Sequence, residues 1–343
     1  MKKLLPLVAA IAALLAVSGA SASAATVVNG NFESAGTSGW LIKDVNGSAG
    51  SWYPYAGATS PVSGQTVPAA HGNSAMGDQD FISASAIYQD VDLEAGSTHE
   101  LNLNYWFANN SSAWTIPNPN VFDAVTASET VQQLRVDVIK PTADPLSPDP
   151  ADVLTTLVFP QVGSAQSADW TAAKADLSAL AGQKVRIRAI YSDNAGPLFL
   201  GLDDVSITSK DVTAPALSAV KTSTTKYELG TKKPGFTLTF TSSEAASLTA
   251  KFTKKGPGKK SGKSCKKPTK KNAKAKNCSR WVAVKGSIAL NAVLGANTLV
   301  FKGKVGGKKL GAGTYRLTLT GSDATGNKLT PVVKTFKVVP KKK

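Results

Sequence analysis

Leu101-Asn102-Leu103-Asn104-Tyr105 places apolar and polar side chains in strict alternation. Successive side chains of a β-strand point to opposite faces, so this period of two predicts a strand with one buried face. The pattern recurs at residues 134–138 and 185–189, where apolar residues alternate with charged ones. Between these stretches lie clusters typical of turns, such as residues 192–196. The first half of the chain is therefore predicted to consist of short strands.

The second half repeats the alternation. Phe236, Leu238 and Phe240 form one such stretch, and residues 315–319 and 336–338 form two more. In the first half, only residues 168–180 have a composition that favours a short helix. Short strands with turn signals in both halves predict an all-β protein of two β-sandwiches.

The distribution of charge along the chain predicts where the domain boundary lies. The chain has 343 residues, 42% of them apolar and 18% charged, enough for two hydrophobic cores. Residues 26–209 carry 7 Lys and Arg against 19 Asp and Glu, whereas residues 210–343 carry 30 against 4. This reversal predicts a first domain at 25–209, a proline-containing linker at 210–215 and a second domain at 216–340.

The N-terminus has the pattern of a signal peptide at residues 1–24. Lys2 and Lys3 precede an apolar run at 4–17, and Ala22-Ser23-Ala24 supplies small residues for cleavage. The run is shorter than the roughly 20 residues of a membrane span. We therefore expect a secreted protein without a transmembrane anchor.

The chain offers little for catalysis. It has two histidines and two cysteines, too few for a zinc cluster, and neither a Gly-x-Ser-x-Gly nor a His-Glu-x-x-His motif. The sequence therefore predicts a protein that is not an enzyme. A glycoside hydrolase built on two carboxylates is the alternative.

The first domain resembles a known family at both ends. Residues 28–33 with Gly39-Trp40, residues 86–96, and residues 201–207 resemble the opening, middle and closing strands of galactose-binding-like jelly-roll modules. These include carbohydrate-binding modules of secreted bacterial proteins. The resemblance implies a jelly roll at 25–209, with a glycan as one candidate ligand.

The same resemblance implies a structural calcium ion. The first and last strands of a jelly roll lie side by side, so Glu33 converges with Asp203 or Asp204. Related modules hold Ca²⁺ there through hard oxygen ligands, which correspond here to the Asn31 carbonyl, Glu33 and Asp203. Side chains alternate, so only one of the two aspartates faces such a site. The alternative is a set of solvated carboxylates at strand ends.

A glycan site needs aromatic faces, because sugar C–H surfaces stack on them. Trp52, Tyr53 and Tyr55 lie in the Gly/Ser/Pro-rich stretch 47–61, and Trp114 lies in the stretch 109–120, neither with a strand period. These four residues are the predicted ligand contacts. The alternative is that they plug the ends of the sandwich. Trp40 and Trp106 are assigned to packing.

The second domain resembles bacterial immunoglobulin-like or fibronectin-like repeats of secreted actinobacterial proteins. The resemblance rests on residues 211–215, the strand 236–240 and the closing stretch 315–327. A lysine-dense insertion at 254–280, which we predict to be a loop, brackets Cys265 and Cys278, and we expect these two cysteines to form a disulfide in an exported chain.

The excess of basic residues favours polyanions, including wall polymer, acidic polysaccharide, extracellular DNA and anionic headgroups. A solvated, solubilising face is the alternative. Too few aromatics interleave with the lysines for a specific nucleic-acid platform. The leading hypothesis is a secreted binding protein that holds a polysaccharide or cell-surface glycan and associates with anionic cell-wall polymer. A structural or adhesive surface protein that binds no sugar is the second hypothesis.

Overall fold

The computed structural model describes residues 25–34, 36–70, 72–118, 120–231 and 234–341. The predicted signal peptide lies outside the described residues. The chain forms two compact units and is all-β, as predicted. The first unit contains the described residues up to Ala214 together with Ser322–Lys328, and the second contains Pro215–Gly321 and the described residues from Leu329 onward.

The first unit is an antiparallel two-sheet sandwich. Its sheets have the strand orders β1-β4-β9-β6-β7 and β2-β3-β10-β5-β8. Two short 3-10 helices lie at Pro150–Asp152 and Ser178–Leu180. The strands are β1 Leu41–Asp44, β2 Ser51–Tyr55, β3 Ser74–Asp78, β4 Ser83–Asp92, β5 Ser97–Asn109, β6 Gln132–Ile139, β7 Val153–Val158, β8 Ser167–Asp176, β9 Lys184–Asp193 and β10 Leu198–Asp211.

The core lies between these two sheets. Leu101 and Leu103 of β5 are buried against Leu134 and Val136 of β6, all in one apolar cluster. The predicted alternation therefore marks the faces that meet. Two details differ: residues 168–176 lie in strand β8, and β10 continues through Asp211, two residues into the predicted linker.

A buried ion cluster covers the outer face of the first sheet. Asp137 is fully buried and accepts hydrogen bonds from Arg188 Nη2 at 2.9 Å and from Arg135 Nη2 at 3.2 Å. Arg188 also donates through Nη1 to the carbonyls of Pro145 and Ser147, at 2.8 and 2.9 Å. These bonds fasten the loop after β6 onto the sheet.

The second unit also pairs two antiparallel layers around one core. The strand orders are β11-β13-β17 and β12-β21-β20-β14-β15, with β16 beside β14; β18 pairs with β19, and β12 pairs with β21 in parallel. A 3-10 helix lies at Lys270–Asn272. The strands are β11 Leu217–Thr222, β12 Lys226–Glu228, β13 Phe236–Ser242, β14 Ala246–Ser261, β15 Ser264–Lys266, β16 Asn277–Ala292, β17 Gly295–Phe301, β18 Lys304–Val305, β19 Lys308–Lys309, β20 Gly313–Ser322 and β21 Val332–Val339.

Aromatic rings fill this second core. Phe236, Phe252, Phe301 and Phe336 are all buried, and the Phe236 ring centroid lies 5.0 Å from those of both Phe301 and Phe336. Among the residues described in either unit, no helix has the length and hydropathy of a membrane span.

The lysine-dense segment 254–280, called the arm below, is largely strand and not the predicted loop. It contains the ends of β14 and β16 and all of β15, with β14 in the middle. Cys265 on β15 and Cys278 on β16 form the predicted disulfide, with a Cα–Cα distance of 6.0 Å.

The disulfide crosses the middle strand of the arm at Gly258. A Cβ atom at Gly258 would lie 2.3 Å from Sγ of Cys265 and 3.2 Å from Sγ of Cys278. Because the first distance is shorter than real Cβ contacts, glycine is the residue that fits beneath the sulfurs.

Candidate functional site

At one end of the first sandwich, polar side chains point into the core between the two sheets. Tyr191 of β9 faces the core, so Asp193, two residues on, faces the same way. Asp193 lies opposite Ser83 of β4 and Gln132 of β6. Gln79, which directly follows β3, reaches Asp193 from the other sheet. A buried polar cluster therefore closes this end of the core.

Three oxygens of this cluster have no hydrogen-bond partner among the described residues. Gln79 donates from Nε2 to Oδ2 of Asp193 at 2.8 Å, and the two residues are 0% and 2% exposed. Oε1 of Gln79 and Oδ1 of Asp193 remain unpartnered, as does Oε1 of Gln132. Because each buried acceptor without a partner costs about 1–3 kcal/mol, these oxygens favour a group that supplies donors.

Burial also changes the acid strength of Asp193. Loss of solvation disfavours the carboxylate and raises the pKa of Asp193 to about 8. Near neutral pH the carboxyl group therefore carries a proton in much of the folded population. The proton makes one oxygen of Asp193 a donor, and Oε1 of Gln79 and Oε1 of Gln132 remain acceptors without a partner among the described residues.

A cavity of about 210 Å³ opens beside this cluster and is called the end pocket below. Phe81 and Ile82, which are adjacent at its rim, are 72% and 46% exposed. The residues that line it are Gln79, Asp80, Phe81, Ile82, Asp193, Asn194, Gly196 and Pro197.

The end pocket combines an exposed ring with buried acceptors. A sugar presents C–H surface that packs on an aromatic face and hydroxyl groups that donate to oxygens. Sequence reasoning missed this site, since residues 192–196 were interpreted only as a turn. The available signal was the apolar pair Phe81-Ile82 directly after Asp78-Gln79-Asp80.

The structure corrects the prediction for the two tryptophans. Trp52 lies in β2 with its ring centroid 5.9 Å from that of Tyr191 and is 3% exposed. Trp114 is 1% exposed, packs on Phe107 at 5.5 Å and donates from Nε1 to the Ala165 carbonyl at 2.9 Å. Both rings are covered by protein, so neither presents a face to a ligand. Trp40 and Trp106 are buried, as assigned.

Tyr53 and Tyr55 lie on the outer face of β2, away from the end pocket. Both rings are half-buried, with centroids 6.1 Å apart. The Tyr53 hydroxyl donates to the Asp78 carboxylate, and burial and this carboxylate raise the pKa of Tyr53. The Tyr55 hydroxyl accepts from the Thr59 amide at 2.8 Å and donates to the Thr59 carbonyl. Their role as ligand contacts stays a prediction.

Residues 28–31 form a turn, and residues 28–33 do not form the predicted first strand, but this opening segment lies beside the closing strand β10. The Val205 amide donates to the Gly30 carbonyl at 2.8 Å. Glu33 is exposed, and its Oε1 and Oε2 accept from the backbone and side-chain amides of Asn73 at 2.8 and 3.1 Å. Asp203 is 8% exposed, and its Oδ1 accepts from the Asp204 amide at 2.7 Å.

This donor set fits calcium in its chemistry. A carboxylate offers about four lone-pair sites, so Glu33 retains acceptor capacity beyond its two bonds to Asn73. Asn31 lies between Gly30 and Phe32, and the left-handed φ of +51° at Phe32 redirects the backbone at this point. The Asn31 carbonyl, Glu33 and Asp203 would hold the ion, which would tie the two chain segments together.

No known family model matches the sequence, and no curated protein matches it. Solved structures similar to parts of the chain include TmCBM61 in complex with β-1,4-galactotriose, at 13% identity over 54% of this chain and 99% of that chain, with a TM-score of 0.32. Another is the K3 cleaved adhesin domain of Lys-gingipain from Porphyromonas gingivalis w83, at 17% identity over 53% and 96%, with a TM-score of 0.32.

A third similar structure is the adhesin domain of Epf from Streptococcus pyogenes, at 10% identity over 94% of this chain and 99% of that chain, with a TM-score of 0.30. Likenesses at these identities and TM-scores assign no family and carry no information about a ligand. The class that the strand order itself defines is an all-β protein of two antiparallel sandwich units.

Proposed function

We propose that the protein is a secreted, non-catalytic binding protein. Its first unit holds a glycan in the end pocket, and its cationic second unit associates with anionic polymers of the cell envelope. The observation that carries the glycan proposal is the pair of unpartnered buried oxygens on Gln79 and Asp193 beside the exposed ring of Phe81. Sugar hydroxyls both donate and accept, so they match the Gln79 oxygen and either protonation state of Asp193, and the ring supplies a stacking face.

Two further parts belong to this proposal. The disulfide between Cys265 and Cys278 supports an oxidising, extracellular location. Calcium bound by the Asn31 carbonyl, Glu33 and Asp203 would have a structural role, since these residues lie on the opening and closing segments that meet at the hydrogen bond between Val205 and Gly30.

The end pocket also gives a specific reason to test for hydrolysis. Asp80 and Asp193 both line it, burial raises the pKa of Asp193, and glycosidases use two carboxyl groups of which the general acid has a raised pKa. Binding is favoured because the exposed ring of Phe81 offers a stacking face, which binding needs and acid–base hydrolysis does not require.

The test is a glycan panel with the whole protein and two matched variants. Phe81→Ala removes the exposed ring of the pocket, and Val162→Ala removes an equally exposed apolar side chain, 72%, elsewhere in the first unit. We expect Phe81→Ala to lose about tenfold or more in glycan affinity, or about 1.4 kcal/mol, and Val162→Ala to bind as the wild type does.

Other outcomes contradict the proposal. Absence of glycan binding by the wild type favours a structural or adhesive protein that binds no sugar. Sugar release that Asp193→Asn abolishes favours the hydrolase.

A further inference from the structure

The arm concentrates positive charge on a small piece of the second unit. Residues 254–280 contain eleven lysines and one arginine and no acidic residue. Like charges at this density repel one another, and the arm itself contains no carboxylate to offset them. A polyanion bound from outside would relieve this repulsion.

Strand pairing places part of this charge on one face. Directly opposed residues of neighbouring strands share a face, and Lys259 lies opposite Lys266 while Lys255 lies opposite Trp281. Lys255 and Lys259 are four residues apart on β14, so they share that face about 13 Å apart. Lys255, Lys259, Lys266 and Trp281 are called the arm face below.

The disulfide lies on the opposite face. Both sulfurs approach the side-chain position of Gly258, and Lys259, the next residue, points the other way. The bridge therefore fixes β15 and β16 to the two sides of β14 without covering the arm face. Its lysines are carried by a cross-linked three-stranded sheet, which lowers the entropy lost on binding.

A guanidinium group extends the arm face at its base. Cζ of Arg316 lies 4.1 Å from the centroid of the Trp281 ring, and the Arg316 side chain is exposed. This cation–π contact holds the guanidinium in place and leaves its outward N–H groups available as donors.

The residue types suit phosphate as the anion. Lysine binds phosphate as a compact point charge, and the guanidinium fork of arginine also pairs with phosphate oxygens. Sites for single-stranded nucleic acid interleave several aromatic platforms with the charges. On the arm face Trp281 is the one aromatic ring, and Arg316 lies over it.

We propose that the arm face, with Arg316, is the docking surface for a linear phosphodiester polymer without bases, such as a polyol phosphate. This proposal rests on the proposed function, in which the second unit associates with anionic polymers, and it names the surface and the chemistry of the partner.

The test measures binding of the whole protein to poly(glycerol phosphate) over a series of salt concentrations. Polygalacturonate and a single-stranded oligonucleotide are the comparison polymers. The arm variant is Lys255→Gln, Lys259→Gln and Lys266→Gln together. The matched control removes three exposed lysines of the β18–β19 hairpin through Lys304→Gln, Lys308→Gln and Lys309→Gln.

We expect the arm variant to bind poly(glycerol phosphate) at least tenfold more weakly at low salt. The slope of log affinity against log salt should fall by about two, since each lost phosphate contact removes about 0.7–0.9. The control should keep the wild-type affinity within about threefold. The triple lysine-to-arginine variant at the arm positions keeps the charge, so it should bind nearly as the wild type does.

Equal losses in the arm variant and the control would overturn the proposal, because net charge alone would then explain binding. Tighter binding of polygalacturonate or of the oligonucleotide would overturn the assignment of phosphodiester polymer. Phe81→Ala should bind poly(glycerol phosphate) as the wild type does. A failure of the glycan proposal and a failure of the arm proposal are therefore distinguishable.

Discussion

Gln79 donates a hydrogen bond from Nε2 to Oδ2 of Asp193 over 2.8 Å, between residues 114 positions apart in the chain. The bond ties the segment after β3 to the end of β9, and so joins the two sheets at the end pocket. It leaves Oε1 of Gln79 and Oδ1 of Asp193 without a hydrogen-bond partner among the described residues. The end pocket is therefore both a structural link and a set of available acceptors.

The stability of the first unit should depend on pH through Asp193. Its pKa is raised from 3.8 to about 8 on folding, so the folded state binds this proton more tightly than the unfolded chain. The contribution is fully present below about pH 4 and is lost as the pH rises through 8. We expect Asp193→Asn to remove this loss, so its melting temperature should exceed that of the wild type increasingly from pH 4.5 to pH 8.

The control for this effect is Asp80→Asn, which changes an exposed carboxylate of the same pocket. Its melting curve should follow that of the wild type across the range. Parallel pH profiles for Asp193→Asn and the wild type would contradict the raised pKa.

Asp137 should be the most costly acidic residue to remove. Its carboxylate is fully buried between Arg135 and Arg188, and Asp137→Ala leaves their guanidinium groups without a counter-charge. We expect a loss of about 3–5 kcal/mol in chemical denaturation. Asp144→Ala breaks the exposed pair with Lys43 and should cost about 0–1 kcal/mol. Similar costs for the two variants would show that the buried cluster is not a structural link.

Calcium should stabilise the first unit. We expect a chelator to lower the melting temperature of the wild type and added Ca²⁺ to restore it, because the ion binds the folded state. Glu33→Gln should melt lower and respond little to the chelator, whereas Glu129→Gln, at an exposed site, should respond as the wild type does. A wild-type midpoint that the chelator leaves unchanged would remove calcium from the proposal.

Gly258→Ala should impair closure of the disulfide. The added Cβ would lie 2.3 Å from Sγ of Cys265, so the sulfurs or the middle strand must shift. We expect free thiols by titration after folding in air and a loss of up to about 3 kcal/mol, the value typical for closing a loop of this length. At Gly311 a Cβ would have no neighbour within 4 Å, and Gly311→Ala should leave both cysteines oxidised.

Most strands could be predicted from the sequence because alternation reports which side chains face the core. Leu101 and Leu134 are examples, since each belongs to a run whose apolar residues are the buried ones. Local composition gave a wrong prediction where the structure depends on pairing between strands that are distant in the sequence. Trp52 lies in a stretch rich in Gly, Ser and Pro, yet it pairs with Gly77 on β3, and the absence of a side chain at Gly77 leaves room for its ring.

The candidate site was harder to predict for the same reason. Gln79 and Asp193 meet only because the strand order brings the end of β3 to the end of β9, and no local pattern encodes that contact. Lysine-dense residues 254–280 suggest an irregular loop, because repulsion and turn formers dominate their composition. Ladder hydrogen bonds and the cross-link between Cys265 and Cys278 override that preference.

All the charged side chains of the arm are positive, so dissolved ions affect it in two opposing ways. Mobile anions gather around the lysines and screen their mutual repulsion over a Debye length of about 8–10 Å, so added salt lowers the electrostatic cost of folding the arm. The same anions compete with any bound polyanion for those lysines. Ionic strength should therefore stabilise the folded arm while it weakens the binding that we propose for it.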